Sequence, residues 1–418
     1  MKNNMQIDLF PFLVCACSFL GCAGSGAGPV EPVKVIFDNP LHLIVLQAKI
    51  AGQGPFRFVL DSGASGTVID TQLAKRLGLK TGRPTTGRST AARSRVTAAS
   101  VRGGVEFGLA PGLAIHVERV IAAPFTQISQ IMIGEHFDGI LGSEVFFQYV
   151  VEVDYARQNL VFHDPSGFKY VSQEGEWEEA DKSAVLELAF PNRSRLPYIK
   201  STLVNGDRRL ADFLILVDSG GQTMGTASVA RRSEWDALIT PENKVVDVLG
   251  ATGLSNDAEG TTHEAFITRM DHFTMGPYTF DRPLVSYSAG GPSMAVMGAS
   301  LLHRFTVTFD YRRKRLILEP NRHFYDPILA DQSGAMLTMA EEGDGSFSLM
   351  FVAPGTPAAE AGLRRGDKIL AINGTPARRL GLNDLRAMFC RSGTFALEVQ
   401  RDARLIEAVL KTRPLFRD

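Results

Sequence analysis

Two tripeptides, Asp61-Ser62-Gly63 and Asp218-Ser219-Gly220, set carboxylates in glycine turns at two distant points of the chain. Each ends an apolar run, Phe56-Arg57-Phe58-Val59-Leu60 in the first case and Phe213-Leu214-Ile215-Leu216-Val217 in the second. Both runs read as buried strands that deliver an acid to a turn. A carboxylate at the end of an apolar strand is costly unless its surroundings use it, so each unit is a site candidate. Brought together, two such groups would share one proton, because like charges about 3 Å apart cannot both ionise. The ionised member could then act as general base on a water and the protonated member as general acid. A single Asp-Ser-Gly is only a turn signal, since Asp and Ser bond their own backbone and Gly supplies positive φ.

An internal repeat links the two turns. Ile140-Leu141-Gly142 places Gly142 81 positions after Asp61, and Val296-Met297-Gly298 places Gly298 80 positions after Asp218. Further on, Tyr149-Val150-Val151-Glu152-Val153-Asp154-Tyr155 is answered by Phe305-Thr306-Val307-Thr308-Phe309-Asp310-Tyr311. Asp154 and Asp310 keep the same separation as Gly142 and Gly298, 156 positions. A repeat of this length is a duplicated lobe rather than a solenoid unit, because each copy can hold a core.

The stretch Asp61 to Ala64 with its apolar-apolar-Gly partner resembles the retropepsin-like aspartic proteases, and so does the copy from Asp218 to Gly221; the resemblance spans about residues 34 to 322. It implies a mainly β fold of two acid-protease-type β-barrel lobes with a cleft between them, one Asp from each lobe. Asp61 and Asp218 would be the catalytic pair. Ser62, Gly63, Ala64, Ser219, Gly220 and Gly221 would support the active loops, the two serines by tying the loops across a pseudo-twofold axis. Gly142 and Gly298 would stand in the psi-shaped turns behind those loops. Ala64 and Gly221 occupy a position where pepsin-type enzymes carry Ser or Thr, which places the site nearer the retroviral type. A second full copy in one chain favours a monomer over a dimer of like lobes.

A different pattern follows residue 325. The string Val352-Ala353-Pro354-Gly355-Thr356-Pro357-Ala358-Ala359, then Glu360-Ala361-Gly362-Leu363-Arg364-Arg365-Gly366-Asp367 and Ile369-Leu370-Ala371-Ile372-Asn373-Gly374, resembles the PDZ domain of bacterial secreted proteases. Thr356 and Pro357 predict a short helix stopped at Gly362, and Asn373-Gly374 a hairpin turn. A second helix is expected over 383–389. PDZ domains add an extended peptide to a sheet edge and seat its C-terminal carboxylate on backbone amides. By analogy that loop is Gly334, Ala335, Met336 and Leu337. The alternative is a PDZ domain kept as a rigid spacer or internal dock.

Between Asp70 and Glu106 no acid occurs, yet eight Lys and Arg residues from Lys75 to Arg102 do. This Ser/Thr/Gly/Arg mixture reads as an exposed loop, placed where the family carries its mobile flap; it is either a basic flap suited to acidic substrates or simply a solvated segment. The second lobe offers residues 250–262 as its flap. Helices are expected from Thr71 to Leu77 and from Ser228 to Leu238.

At the start of the chain, Lys2 precedes an apolar stretch from Leu9 to Leu20 with the dimensions of a signal-peptide core. Phe19-Leu20-Gly21-Cys22 resembles a bacterial lipobox, which would make Cys22 a lipidation site; ordinary cleavage between about Ala23 and Gly28 is the alternative. The expected divisions are therefore 1–22 signal peptide, 23–33 linker, 34–168 and 169–325 protease lobes, and 326–415 PDZ domain. Export to the cell envelope or periplasm follows, with membrane contact only through the lipid. Only Cys390 would remain unmodified, so no disulfide framework is available.

With 418 residues, 44% hydrophobic content and a net charge of −1, the chain has ordinary globular composition and no bias toward nucleic acid. Its eight histidines form no His-Glu-x-x-His motif, and neither a Gly-x-Ser-x-Gly elbow nor a phosphate loop is present. No metal or organic cofactor is implied. The resulting expectation is an envelope aspartic endopeptidase with a polypeptide in the cleft and a peptide or protein C-terminus at the PDZ domain. The alternative is a catalytically silent scaffold of the same architecture.

Overall fold

A computed structural model of the protein describes residues 31–88, 95–170, 183–221, 227–229, 238, 244–247, 265–288, 295–340 and 343–415. The expected signal peptide and Cys22, the second flap over 250–262, the tip of the first flap and most of the expected helix after Ser228 lie outside them. The first half contributes β1 (Val33–Ile36), β2 (Val45–Ile50), β3 (Gln53–Leu60), β4 (Thr67–Asp70), β5 (Thr85–Arg88) and β6 (Arg95–Ser100). It continues with β7 (Val105–Ala110), β8 (Leu113–Val117), β9 (Val120–Ala123), β10 (Gly139–Leu141), β11 (Val150–Asp154) and β12 (Asn159–His163). The second half supplies β13 (Ala184–Glu187), β14 (Tyr198–Asn205), β15 (Arg208–Val217), β16 (Ala227–Val229), β17 (Lys244–Asp247) and β18 (Ala265–Arg269). After these come β19 (His272–Met275), β20 (Tyr278–Asp281), β21 (Leu284–Ser288), β22 (Ala295–Met297), β23 (Phe305–Asp310) and β24 (Arg315–Pro320).

The duplication is explicit in the strand order. One nine-stranded sheet runs β5-β6-β9-β4-β10-β3-β2-β7-β8, and the other runs β17-β18-β21-β16-β22-β15-β14-β19-β20, the same path strand for strand. Alternation of apolar and polar residues produces these strands: Leu113–Val117 buries its first, third and fifth residues and exposes the two between. A third sheet, β1-β12-β11-β23-β24-β13, is built from both halves. Its central pair is antiparallel, with Val151 opposite Phe309 and Val153 opposite Val307. Around it the buried residues of both lobes form one continuous core. Phe146 meets Phe309 edge-on with ring centroids 4.9 Å apart.

Two expected elements take another form. Ser228 lies in β16, paired with β21 and β22, because its segment is the counterpart of β4 rather than of the helix that follows β4. The basic segment expected as a loop is an antiparallel ribbon of β5 and β6, with Thr85 opposite Ala98 and Arg88 opposite Arg95. Its β-branched residues favour pairing, and the Thr86 and Thr97 hydroxyls lie 3.0 Å apart across it. The helix α1 (Thr71–Arg76) falls as expected, with Gly78 in the left-handed conformation behind it. Two further helices, α2 (Phe125–Ile133) and α3 (Ser143–Gln148), complete the first half, and α4 (Ala299–Leu302) stands in the second where α3 stands in the first.

The C-terminal module has its own core and a sheet ordered β25-β26-β27-β29-β30, from β25 (Ala335–Met339), β26 (Phe347–Val352), β27 (Lys368–Ile372), β29 (Gly393–Arg401) and β30 (Arg404–Thr412). The short β28 (Thr375–Pro376) follows a turn in which Asn373 and Gly374 both have positive φ, as the hairpin signal predicts. Helices α5 (Pro357–Glu360) and α6 (Leu382–Phe389) also match the sequence reading. A small apolar seam joins the module to the second lobe, where Ile267 and Leu284 pack with Ala353.

Because the lobes share one core through β11 and β23, truncating Phe309 to Ala is expected to cost about 3–5 kcal/mol, measured by urea denaturation. A loss below about 1 kcal/mol would contradict the shared core.

Candidate active site

Each acid reaches the lobe boundary by the same route. β3 runs parallel to β10, with Leu60 beside Leu141, and β15 runs parallel to β22, with Val217 beside Met297. One residue further the chain turns: the Asp61 N–H donates to the Leu141 carbonyl and the Asp218 N–H to that of Met297, both at 2.9 Å. The following helices lock these turns, since Ser143 N–H donates to Ala64 O and Ala299 N–H to Gly221 O, again at 2.9 Å. Gly142 must be glycine for lack of space: a Cβ there would lie 2.6 Å from the Gly66 carbonyl. Gly298 caps α4 in an extended conformation.

Four hydrogen bonds fasten the two loops to each other. Ser62 N–H donates to Ser219 Oγ and Ser219 N–H to Ser62 Oγ, both at 2.9 Å. The hydroxyls then donate outward, Ser62 Oγ to Val217 O at 2.7 Å and Ser219 Oγ to Leu60 O at 2.9 Å. Every donor is used, the serines are fully buried, and nothing activates either hydroxyl as a nucleophile.

This fastening brings the acids face to face. A Cβ on Gly63 would lie 2.5 and 2.8 Å from the Asp218 carboxylate oxygens, and one on Gly220 2.5 and 2.6 Å from those of Asp61. Gly221 is equally constrained, its Cβ position 2.6 Å from Asp218 Oδ2. Both carboxyls are wholly buried. Gly63 N–H donates to Asp61 Oδ1 at 2.8 Å and Gly220 N–H to Asp218 Oδ1 at 3.0 Å. The remaining oxygens, Asp61 Oδ2 and Asp218 Oδ2, receive no donor from the described residues. The carboxyls lie within hydrogen-bonding range of one another, so a single proton between them would supply the missing donor. Burial pushes the Asp61 carboxyl up to about 6, offset in part by its bond to Asp218 and by loop amides. Burial, then the charge of Asp61, holds Asp218 well above the carboxylate range.

Several residues around the pair, Thr67, Glu144, Arg195, Tyr155 and Tyr311, are not marked as site residues by the sequence. Gly142 N–H donates to Thr67 Oγ1 at 3.2 Å, Thr67 donates to Glu144 Oε2 at 3.1 Å, and Arg195 of the second half reaches Glu144 Oε1 at 3.4 Å. The first turn is thereby tied to the opposite lobe. Tyr155 and Tyr311, repeat equivalents that directly follow β11 and β23, are buried with hydroxyls that have no partner among the described residues. Their equivalence was readable from the repeat; their place near the acids was not. Gly334, Ala335, Met336 and Leu337 lie in the separate C-terminal module, at the start of β25. Among the described residues no group of three or more His, Cys, Asp or Glu side chains is arranged to hold a metal.

With a folded-state value of about 6 against the usual 3.9, Asp61 costs stability as pH rises from about 4 through about 6, where it ionises in the unfolded chain but resists doing so in the fold. Asp61→Asn, neutral and isosteric, is therefore expected to raise stability at pH 7 by roughly 2 kcal/mol and to change it little at pH 3.5. Thermal unfolding at both pH values checks this, and a lowered Tm at pH 7 would contradict it.

Comparison with known families places these features. Residues 46–145 match the model for Aspartyl protease, covering β3, Asp61, α2, β10 and Gly142, and residues 352–401 match the model for PDZ domain. No curated protein matches the chain. The second lobe enters through its identical strand path and its own buried Asp-Ser-Gly turn. The chain therefore carries a β-rich, retropepsin-like aspartyl protease domain together with a PDZ domain.

Proposed function

We propose that the protein is an aspartic endopeptidase whose dyad, Asp61 and Asp218, is assembled within one chain. The observation that carries this reading is the meeting of two buried carboxyls across the serine exchange, each with one oxygen left without a donor among the described residues. The ionised carboxylate takes a proton from a water whose oxygen bonds to the peptide carbonyl carbon. The protonated partner donates to the carbonyl oxygen. Collapse of that adduct breaks the C–N bond, the leaving nitrogen receives a proton, and the dyad returns to its singly protonated form. Loop amides at Gly63 and Gly220 keep one carboxylate ionised in a site that otherwise favours neutrality.

An extended polypeptide would occupy the cleft beneath the β5–β6 ribbon. Lys80, Arg83 and Arg102 at the base of the ribbon and Lys75 and Arg76 of α1 are exposed and favour acidic stretches of substrate. The PDZ domain is the second peptide-binding element. The N-terminal pattern supports export to the cell envelope with lipid attachment at Cys22, and mass spectrometry of the mature N-terminus separates a diacylated Cys22 from a free end near 23–28.

Wild-type chain incubated with a denatured protein or peptide library is expected to cleave it, whereas Asp61→Asn and Asp218→Asn each lose at least about 10³-fold. Activity should fall as pH drops through about 6, where Asp61 becomes protonated and the base is lost. It should fall again where Asp218 ionises, above the carboxylate range. Loss in both single variants at monomeric mass excludes a dimer of like lobes. A wild type that cleaves nothing from acid to neutral pH leaves the silent-scaffold reading in its place.

A further inference from the structure

The PDZ domain's peptide-binding edge is already covered by part of this chain. β25 is an edge strand, bonded to β26 on one side only. A strand left open there would expose part of itself, yet none of residues 331–340 is exposed. Helix α2 of the first lobe packs alongside β25. Its C-cap, Gly134, has φ +76° and abuts the start of α6: a Cβ on Gly134 would lie 2.9 Å from Leu382 Cβ. Both walls of the groove, β25 and α6, therefore touch the same helix. Across the groove, Arg386 of α6 donates to the Leu337 carbonyl at 2.7 Å.

The loop expected to seat a peptide carboxylate is also engaged. Asp331 Oδ1 accepts from Ser333 N–H at 3.0 Å, from Ser333 Oγ at 2.9 Å and from Gly334 N–H at 2.6 Å. Ser333 Oγ in turn accepts from Ala335 N–H at 3.0 Å. An internal carboxylate thus stands among the amides that a ligand's C-terminus would use.

Helix α2 is wired to the acid loop by short, fully bonded segments. Asp70 caps α1 and α2 together, accepting from Gln72, Leu73, Phe125 and Thr126 amides at 2.8 to 3.2 Å. After Gly134 the chain is held against β3, where Arg57 N–H donates to Asp138 Oδ2 at 2.8 Å and the Arg57 guanidinium pairs with Glu135 at 3.0 Å. The next strand is β10, whose last residue accepts the Asp61 amide.

We propose that the PDZ groove is an intramolecular dock for α2, and that a peptide with a free C-terminus competes with α2 for it, loosening the segment that leads through β10 to Asp61. Occupancy of the groove stands on the contacts alone; any effect on hydrolysis rests on the protease reading above, so the test reads exchange and binding, not cleavage.

Two glycines make the experiment specific. Gly78 and Gly134 both end helices of the first lobe with similar positive φ, but a side chain at Gly78 meets nothing within 4 Å, whereas one at Gly134 meets Leu382. Gly134→Asn and Gly78→Asn thus share backbone strain and differ in the clash. In the full chain, Gly134→Asn is expected to speed amide hydrogen exchange in residues 125–133 and 335–339 at least tenfold. It should also bind a pool of hexapeptides with free C-termini at least tenfold more tightly than wild type, while C-terminally amidated hexapeptides do not bind. Gly78→Asn should match wild type in both readouts. Leu382→Ala, which removes the contact from the other side, is the second variant and should move the same amides. Unchanged exchange in both segments in either folded variant would overturn the proposal. So would wild-type chain that binds the free-C-terminal pool with no change in the exchange of residues 125–133, or wild-type amides of 335–339 that exchange as fast as an open strand edge.

Discussion

Two like carboxyl groups buried against each other are a standing cost to this fold, and the rest of the molecule is arranged around keeping them there. Neither acid is solvated, so each favours its neutral form, and their proximity makes double ionisation more costly still. A sheet end or a single loop could not hold such a pair. What holds it is the reciprocal exchange of Ser62 and Ser219, in which each hydroxyl accepts from one loop's partner amide and donates to the partner strand's carbonyl. The loops cannot separate without leaving four buried polar groups unpaired.

Duplication supplies the geometry that the exchange requires. Identical nine-strand paths bring each Asp to its turn by a parallel strand pair, and the shared six-stranded sheet fixes one lobe against the other through β11 and β23. The two halves are nevertheless unequal near the acids. In the first, Thr67, Glu144 and Arg195 form a polar chain behind the turn, with the Arg195 guanidinium 5.1 Å from the Phe147 ring. In the second, the residue equivalent to Phe147 is His303, stacked on His42 of the opposite half at 3.8 Å. Burial holds both imidazoles below their ordinary range, so this seam is an uncharged one. The two acids themselves are set apart by burial and by their mutual coupling, since the bond to Asp218 lowers Asp61 while the charge of Asp61 raises Asp218.

The site was legible in sequence because its parts are local and periodic. An apolar strand ending in Asp-Ser-Gly, an apolar-apolar-Gly segment about 80 residues on, and a second copy in step define the turns without any knowledge of packing. The same holds for the C-terminal module, whose turn glycines and helix caps are written in consecutive residues. What sequence could not show is long-range. Glu144 belongs to no motif in the sequence, and its partner Arg195 stands 51 residues away. The stretch from Ser228 reads as the counterpart of the helix from Thr71, yet tertiary pairing with β21 and β22 makes Ser228 strand. The covering of β25 by α2 joins segments some 200 positions apart, and no pattern in either one announces it.

The central claim is that Asp61 and Asp218 form one titrating unit holding a shared proton at neutral pH. Carbon-13 NMR of carboxyl-labelled aspartate in the full chain, with the two signals assigned by Asp61→Asn and Asp218→Asn, tests it directly. The account predicts that both signals move together in two steps, one near pH 6 and the other also raised well above the carboxylate range, and that either substitution collapses them to one. Two carboxyls that titrate independently near the ordinary value of about 3.9 would contradict it.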